Sequence, residues 1–262
     1  MNYMIRVATP RKSRRSPGWV PNQHGAWFMV TVPALIGVVL APAWIDIPLL
    51  LLWWCGYFAF FAGSVWMRGR YRKRHLPPLA VYGAVTALAG LVVLFCNWRL
   101  VVWIPAFLPL VGIAVYETWR RRPRSLLSGL STVCAACLIL PVIAWAGGGL
   151  TARVWAVCGV LLLYFAGSIP YVKTLIRERG SRPWIIGSIT FHLAFLIAAC
   201  VAVAYQAVHG AVAVIAGILL LRAWLMPTTG ARRERPWTPK QVGLLDALLG
   251  VLVVLAAVLP PR

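Results

Sequence analysis

The sequence predicts an all-α fold: a polytopic transmembrane helical bundle of about nine spans, with the N-terminus cytoplasmic and the C-terminus outside. Three observations predict it. First, 61% of the 262 residues are hydrophobic and 12% charged, with a mean hydropathy of +0.80. Soluble domains average about 45–50% apolar and about 25% charged, and no water-facing globule of this size hides so much apolar surface. Second, the apolar residues fall into runs of membrane-crossing length. Third, the cations sit on alternate connections between those runs.

Charge and Pro/Gly clusters cut the chain into nine apolar segments, approximately 26–43, 47–67, 79–97, 100–116, 126–146, 153–173, 185–206, 210–226 and 241–259. Most approach the roughly 20 residues that cross a ~30 Å hydrocarbon layer as a helix. The first follows a basic stretch, as a signal peptide does. It lacks a small-residue cleavage site, and eight further spans follow, so it reads as a retained helix. The second ends at Arg68, Arg70, Arg72, Lys73 and Arg74. Arg99 separates the third from the fourth, and Arg120, Arg121, Arg122 and Arg124 close the fourth. Arg153 begins the sixth, which ends at Lys173, Arg177, Arg179 and Arg182. The seventh and eighth run together, yet a helix over 185–226 would be about 63 Å long. Gln206, His209 and Gly210 are the turn between them. Around the end of the eighth stand Arg222, Arg232, Arg233, Arg235 and Lys240, and the ninth follows.

With the tail residues Arg6, Arg11, Lys12, Arg14 and Arg15, these clusters hold all of the 26 Lys+Arg except Arg99, Arg153 and Arg262. Every second connection is basic and the alternate ones are nearly bare. This is the positive-inside pattern, and it places the N-terminus in the cytoplasm. Residues 1–20 read as a basic cytoplasmic tail and 21–262 as a single transmembrane helical domain. The net charge of +21 is thereby accounted for by helix orientation and by contact with anionic headgroups of the bilayer, and nucleic acid is not a partner.

Several chemistries are excluded or lack their residues. Cys55, Cys96, Cys134, Cys137, Cys158 and Cys200 all lie in apolar stretches, which predicts free thiols rather than a disulfide framework. Cys134 and Cys137 have C-x-x-C spacing but sit beside Ala135 and Ala136, a pattern that suits close helix packing. The five acids, Asp46, Glu117, Glu178, Glu234 and Asp246, include no cluster that could hold Mg²⁺ with a diphosphate. There is no H-x-x-x-H, G-x-S-x-G or P-loop. No metal and no cofactor is expected.

A polar side chain in hydrocarbon is costly, so each asks for a reason. Pro21-Asn22-Gln23-His24-Gly25-Ala26-Trp27 opens the first span. Asn22 can cap the helix, with Gln23 and His24 in its first turn, where free N–H groups suit an anion. The same run also fits a plain interfacial helix anchored by Trp27. At the end of the sixth span Tyr164, Ser168 and Tyr171 recur at i, i+4, i+7 and share one face, while Lys173 and Arg177 share another. Pro170 withholds a donor from the Ala166 carbonyl. This stretch suits an amphiphile with an anionic head, or is simply a basic flank with interfacial tyrosines. In the seventh span His192 lies four residues after Ser188, a proton-handling group or an ordinary interhelical hydrogen bond. In the ninth, Asp246 should sit at the depth of Arg222 in the eighth, and neither charge is cheap alone, so the two are expected to pair. All these groups fall in the half of the bundle beside the basic connections. Pro33, Pro105, Pro109, Pro141 and Pro170 could open irregular backbone around an inward-facing pocket.

Pro21-Asn22-Gln23-His24-Gly25-Ala26-Trp27 together with Tyr171-Val172-Lys173-Thr174 and Ile176-Arg177-Glu178-Arg179-Gly180 resembles the YwiC-like family of bacterial multi-pass membrane proteins. His192 matches the polar seventh helix associated with that family, and Lys240, Gly243 and Asp246 match the start of its last helix. The resemblance implies a membrane-spanning fold over nearly the whole chain and names no activity. Nine helices with a cytoplasmic N-terminus are also similar to the layout of UbiA-type aromatic prenyltransferases. Those enzymes carry paired aspartate motifs after helices two and six, where this chain has Arg68–Arg74 and Ile176–Gly180. The likeness therefore implies a fold without the metal-dependent chemistry.

Together these readings predict an inward-facing cationic pocket for an anionic amphiphile, of lipid or isoprenoid type. Asn22, Gln23, His24, Tyr164, Tyr171, Lys173, Arg177 and Arg222 are the expected ligand-binding residues. The alternatives are a metal-independent enzyme of prenyltransferase-like fold, using His24, His192, Glu178 or Asp246 as acid or base, and a transporter or assembly helper for a membrane complex. The near absence of polar residues from the outer half counts against a transporter.

Overall fold

A computed structural model of the chain describes residues 18–21, 24–230 and 237–261, and of His24 the backbone alone. The basic tail up to residue 17, Asn22, Gln23 and the cluster Arg232–Arg235 lie outside the described residues. Among the described residues the regular structure is all helical: α1 (His24–Leu40), α2 (Asp46–Arg68), α3 (Leu76–Cys96), α4 (Ile104–Trp119), α5 (Leu126–Ala146), α6 (Ala152–Ile176), α7 (Arg182–Ala204), α8 (Ala211–Gly230) and α9 (Pro239–Val258). Short 3-10 turns, Lys73–His75 and Trp98–Trp103, lead into α3 and α4. Eight of these helical stretches are long and apolar enough to cross a membrane; α1, with 17 residues, is shorter. The protein is a multi-pass helical membrane protein.

Local chemistry sets the boundaries. Ser125 and Thr151 cap α5 and α6 by accepting from the N–H groups of Ser128 and Val154. Thr238 and Gln241 form a reciprocal capping box at α9, whose first residue is Pro239. The α2–α3 connection turns back tightly, with Arg70 and Tyr71 at φ 56° and 57°. A Cβ on Gly69 would stand 2.7 Å from the His75 ring, so glycine is what lets buried His75 fold beneath the end of α2. The seventh and eighth spans divide where the turn is expected: α7 stops at Ala204, Gln206 takes φ 56°, and the Ala211 N–H donates to His209 Nδ1 at 3.1 Å.

Helices α5 and α6 form the centre. Just over half of each apolar window is buried, 56% in both, against 17% for α2 and 11% for α3 with its lead-in. The largest core cluster joins Leu140, Cys137, Leu161, Phe165, Phe195, Leu219 and Val253, so that α5 to α9 close on one another. A second cluster, with Ala34, Leu49, Val93, Leu100 and Ile143, seats α2 to α4 against α1 and α5. Far from the basic connections Arg153, at the start of α6, donates from Nη2 to the Val258 carbonyl at 2.5 Å and so caps the last turn of α9. All six cysteines are free.

Candidate functional site

The polar residues gather where α6, α7, α8 and α9 meet. Tyr164, Ser168 and Tyr171 share one face of α6, as their spacing dictates, and all three are buried. Across from them on α9 stands Asp246. The Tyr164 hydroxyl donates to the Asp246 carbonyl at 2.6 Å, and the Ser168 hydroxyl to the Asp246 carboxylate at 3.2 Å. Arg222 of α8 donates from Nη1 to the same Oδ1 at 2.7 Å. The expected Arg222–Asp246 pair is therefore formed. Its arginine side chain is 4% exposed and its aspartate 22%.

Geometry explains why this pair persists. The Arg222 guanidinium carbon lies 3.8 Å from the centre of the Tyr171 ring, a close cation–π stack. Tyr171 in turn donates its hydroxyl to Met226 Sδ at 2.8 Å. The charge thus has a carboxylate at its tip and an aromatic face along its plane. Breaking one half of a buried pair costs about 3–5 kcal/mol, because the other half stays charged and alone. On α7 His192 is 2% exposed, its ring 6.4 Å from that of Tyr171 and edge-on. Its Nδ1 is 2.8 Å from the Ser188 carbonyl one turn back, which fixes the ring. His192 lies within electrostatic reach of both Arg222 and Asp246.

Two glycines make the approach possible. A Cβ on Gly250, one turn after Asp246, would lie 2.7 Å from the Tyr164 hydroxyl and 2.8 Å from the Phe28 ring. A Cβ on Gly167 would lie 3.0 Å from Phe191 and 3.3 Å from His192 Nε2. Without these side-chain gaps α9 and α7 could not close on α6. Phe28 also packs edge-on to Phe165, at 5.9 Å. It thereby brings α1, one turn beyond His24, to the rim of the same cluster.

A second region lies on the other side of α6. An open, almost wholly apolar groove of about 310 Å³ runs between α5, α6 and α7. Leu126 and Leu130, Ala166 and Pro170, and Trp184 and Phe191 form its walls. Lys173 stands beside it, with Nζ 4.5 Å from the centre of the Trp184 ring. Arg177 is exposed and Glu178 half-buried, and both lie within electrostatic reach of Lys173.

The expected ligand-binding residues are thus divided. Tyr164, Tyr171 and Arg222 come together with Asp246 and His192, and the tyrosines are core residues and not the mouth of a pocket. Arg222 is already neutralised by Asp246. Lys173 and Arg177 belong to the groove side, and among the described residues no contact joins either of them to Arg222. Asn22, Gln23 and the His24 side chain lie outside the described residues. Trp27 is an anchor: its Nε1 donates to the Pro21 carbonyl at 3.2 Å, and its ring packs edge-on to Phe58 at 5.3 Å. Sequence reasoning missed Met226, Gly167 and Gly250 as parts of the cluster. Gly250 carried a usable signal, standing four residues after the only acid deep in the ninth span. Met226 carried none. Among the described residues no group of three His, Cys, Asp or Glu side chains stands close enough to hold a metal ion.

Comparison with known proteins adds a relationship. The model of a family described as YwiC-like protein matches residues 20–144. A Bacillus subtilis (strain 168) protein described as uncharacterized protein YwiC is 30% identical over 232 residues, 87% of this chain and 91% of that one. A Haemophilus influenzae protein, described as uncharacterized, is 28% identical over 249 residues, 91% of this chain and 97% of its own. No solved structure matches the chain.

Proposed function

The chain belongs to the YwiC-like family, and on that footing we propose that it is a bacterial inner-membrane protein that binds an anionic amphiphile of lipid or isoprenoid type. The tail of the ligand lies in the apolar groove between α5, α6 and α7, and its head pairs with Lys173, with Arg177 adding long-range attraction. The N-terminus faces the cytoplasm and the C-terminus the outside, because the basic connections all fall on one side of an up-and-down bundle. Residues 1–20 are a basic cytoplasmic tail, and 21–262 act as one unit.

One observation carries the reading. Among the described residues Lys173 has no carboxylate at ion-pair distance, and it is held against Trp184 at the wall of a groove that offers hydrocarbon and almost nothing polar. A charge at such a boundary favours a ligand with the same division into apolar and anionic parts. Arg222 is not part of the head-group contact, since Asp246 already compensates it.

Native mass spectrometry of gently purified protein tests the proposal. A co-purifying lipid phosphate or carboxylate is expected on the wild type, and its occupancy should fall several-fold in Lys173→Ala and less in Arg177→Ala. An adduct unaffected by Lys173→Ala would overturn it.

A further inference from the structure

The ion pair at the meeting of α6, α8 and α9 leaves donors over. Arg222 uses Nη1 on Asp246, while its Nε and Nη2 are buried with no hydrogen-bond partner among the described residues. On α7 the Ser188 hydroxyl, at 0% exposure, likewise has no partner among the described residues. A buried donor with no acceptor bears the full cost of its lost hydration, and a charged one bears more. Three such donors on two adjoining helices are an unusual concentration, because buried polar groups are almost always satisfied.

We propose that these donors form an inner binding site for an uncharged oxygen acceptor, the carbonyl of a lipid-soluble molecule. Charge decides against an anion here. Arg222 and Asp246 already balance, and the other side chains in contact with them, Ser168 and Tyr171, are neutral. Adding an anion would leave the cluster negative in a low-dielectric interior, whereas a carbonyl satisfies the donors and leaves the balance intact. The way in passes Phe191. That ring lines the groove and packs beside His192, with centroids 6.1 Å apart. On its other side it rests on Gly167, which offers no Cβ to hold it. Phe191 thus stands between the groove and the cluster of His192, Tyr171 and Arg222, and entry by this route requires its side chain to turn aside. This site is separate from the rim at Lys173 and does not require it.

The test is infrared difference spectroscopy on the full chain in detergent, with 2-tridecanone labelled with ¹³C at its carbonyl as the probe. Binding is expected to shift the labelled carbonyl band to lower frequency. The charge-balanced double variant Arg222→Gln, Asp246→Asn should lose the shifted band and bind about tenfold more weakly, the loss expected for one charge-assisted hydrogen bond. Ser188→Ala removes one donor and leaves the ion pair untouched, so it covers the case in which the double variant fails to fold. It should return the band part of the way. Lys173→Ala should leave the band where it is while lowering the anionic adduct at the rim several-fold, so the two sites fail separately. An unshifted band in the wild type would mean that water alone fills the site and would overturn the proposal. So would a band indifferent to both inner-site variants, or one abolished by dodecanoate, which would mark an anion site.

Discussion

Helices α3 and α5 share a mean hydropathy of 2.3 over their best windows, yet 11% of one window is buried and 56% of the other. The difference lies in position within the bundle, since α5 packs against α1, α4 and α6 whereas α3 packs chiefly against α2. Along α5 run Ser128, Gly129, Ser131, Cys134, Ala135, Ala136 and Cys137, small residues that let neighbouring backbones approach. On α3 the exposed positions carry Leu88, Leu91 and Phe95, the last 93% exposed. Apolarity brings both helices into the bilayer, but small residues alone do not set burial, since α3 also carries Ala80, Gly83, Ala84, Ala87, Ala89 and Gly90. The region α5–α9 is held by ion pair, hydroxyl and close packing. The region α2–α4 rests on aromatic contacts such as Trp27–Phe58 and Trp53–Phe107.

Substitutions can break this contrast. Arg222→Ala should have the largest effect, about 4 kcal/mol lost from unfolding in detergent, because Asp246 and the Tyr171 face lose their partner together. The double variant with Asp246→Ala should recover more than about 1 kcal/mol of the summed cost; strict additivity would show that the contact contributes nothing. Leu140→Ala, at a fully buried position of α5, should cost about 3 kcal/mol by cavity formation. Gly250→Ala should cost about 2 kcal/mol, since its Cβ meets both the Tyr164 hydroxyl and Phe28, and thermal unfolding should register it as a clear downward shift. Phe95→Ala on α3 should stay within about 0.5 kcal/mol. A large effect at Phe95 would mean that α3 is covered by protein rather than lipid.

The sequence made the helices legible because a membrane imposes length and charge rules that single residues announce. The basic clusters marked the ends of α2, α4, α6 and α8, and the Gln206–Gly210 break followed from length alone. Arg222, five residues before Pro227 in the eighth span, and Asp246, seven after Pro239 in the ninth, fall at matching depth. Depth is readable along a helix; azimuth is less so. Lys173 and Arg222 lie at the same end of the bundle, but α6 turns Tyr171 toward α8 and Lys173 toward Trp184 of α7, and nothing in the one-dimensional pattern sets which neighbour each face meets. For the same reason the tyrosines could be placed on one face of α6 but not known to be core. The donors that remain unsatisfied on Arg222 are a property of four helices together.

The Arg153 contact with the Val258 carbonyl acquires meaning beside the contacts at the opposite end. Helices α6 and α9 are fastened at one extremity by that cap, along their length by Tyr164 and Ser168 on Asp246, and at the other by Arg179, whose Nη2 reaches the Trp237 carbonyl at 2.8 Å. Two rods pinned at three heights behave mechanically as a single girder. Whatever working movement the protein makes is then borne by the elements hung on that girder, and cross-linking α6 to α9 should leave its operation untouched.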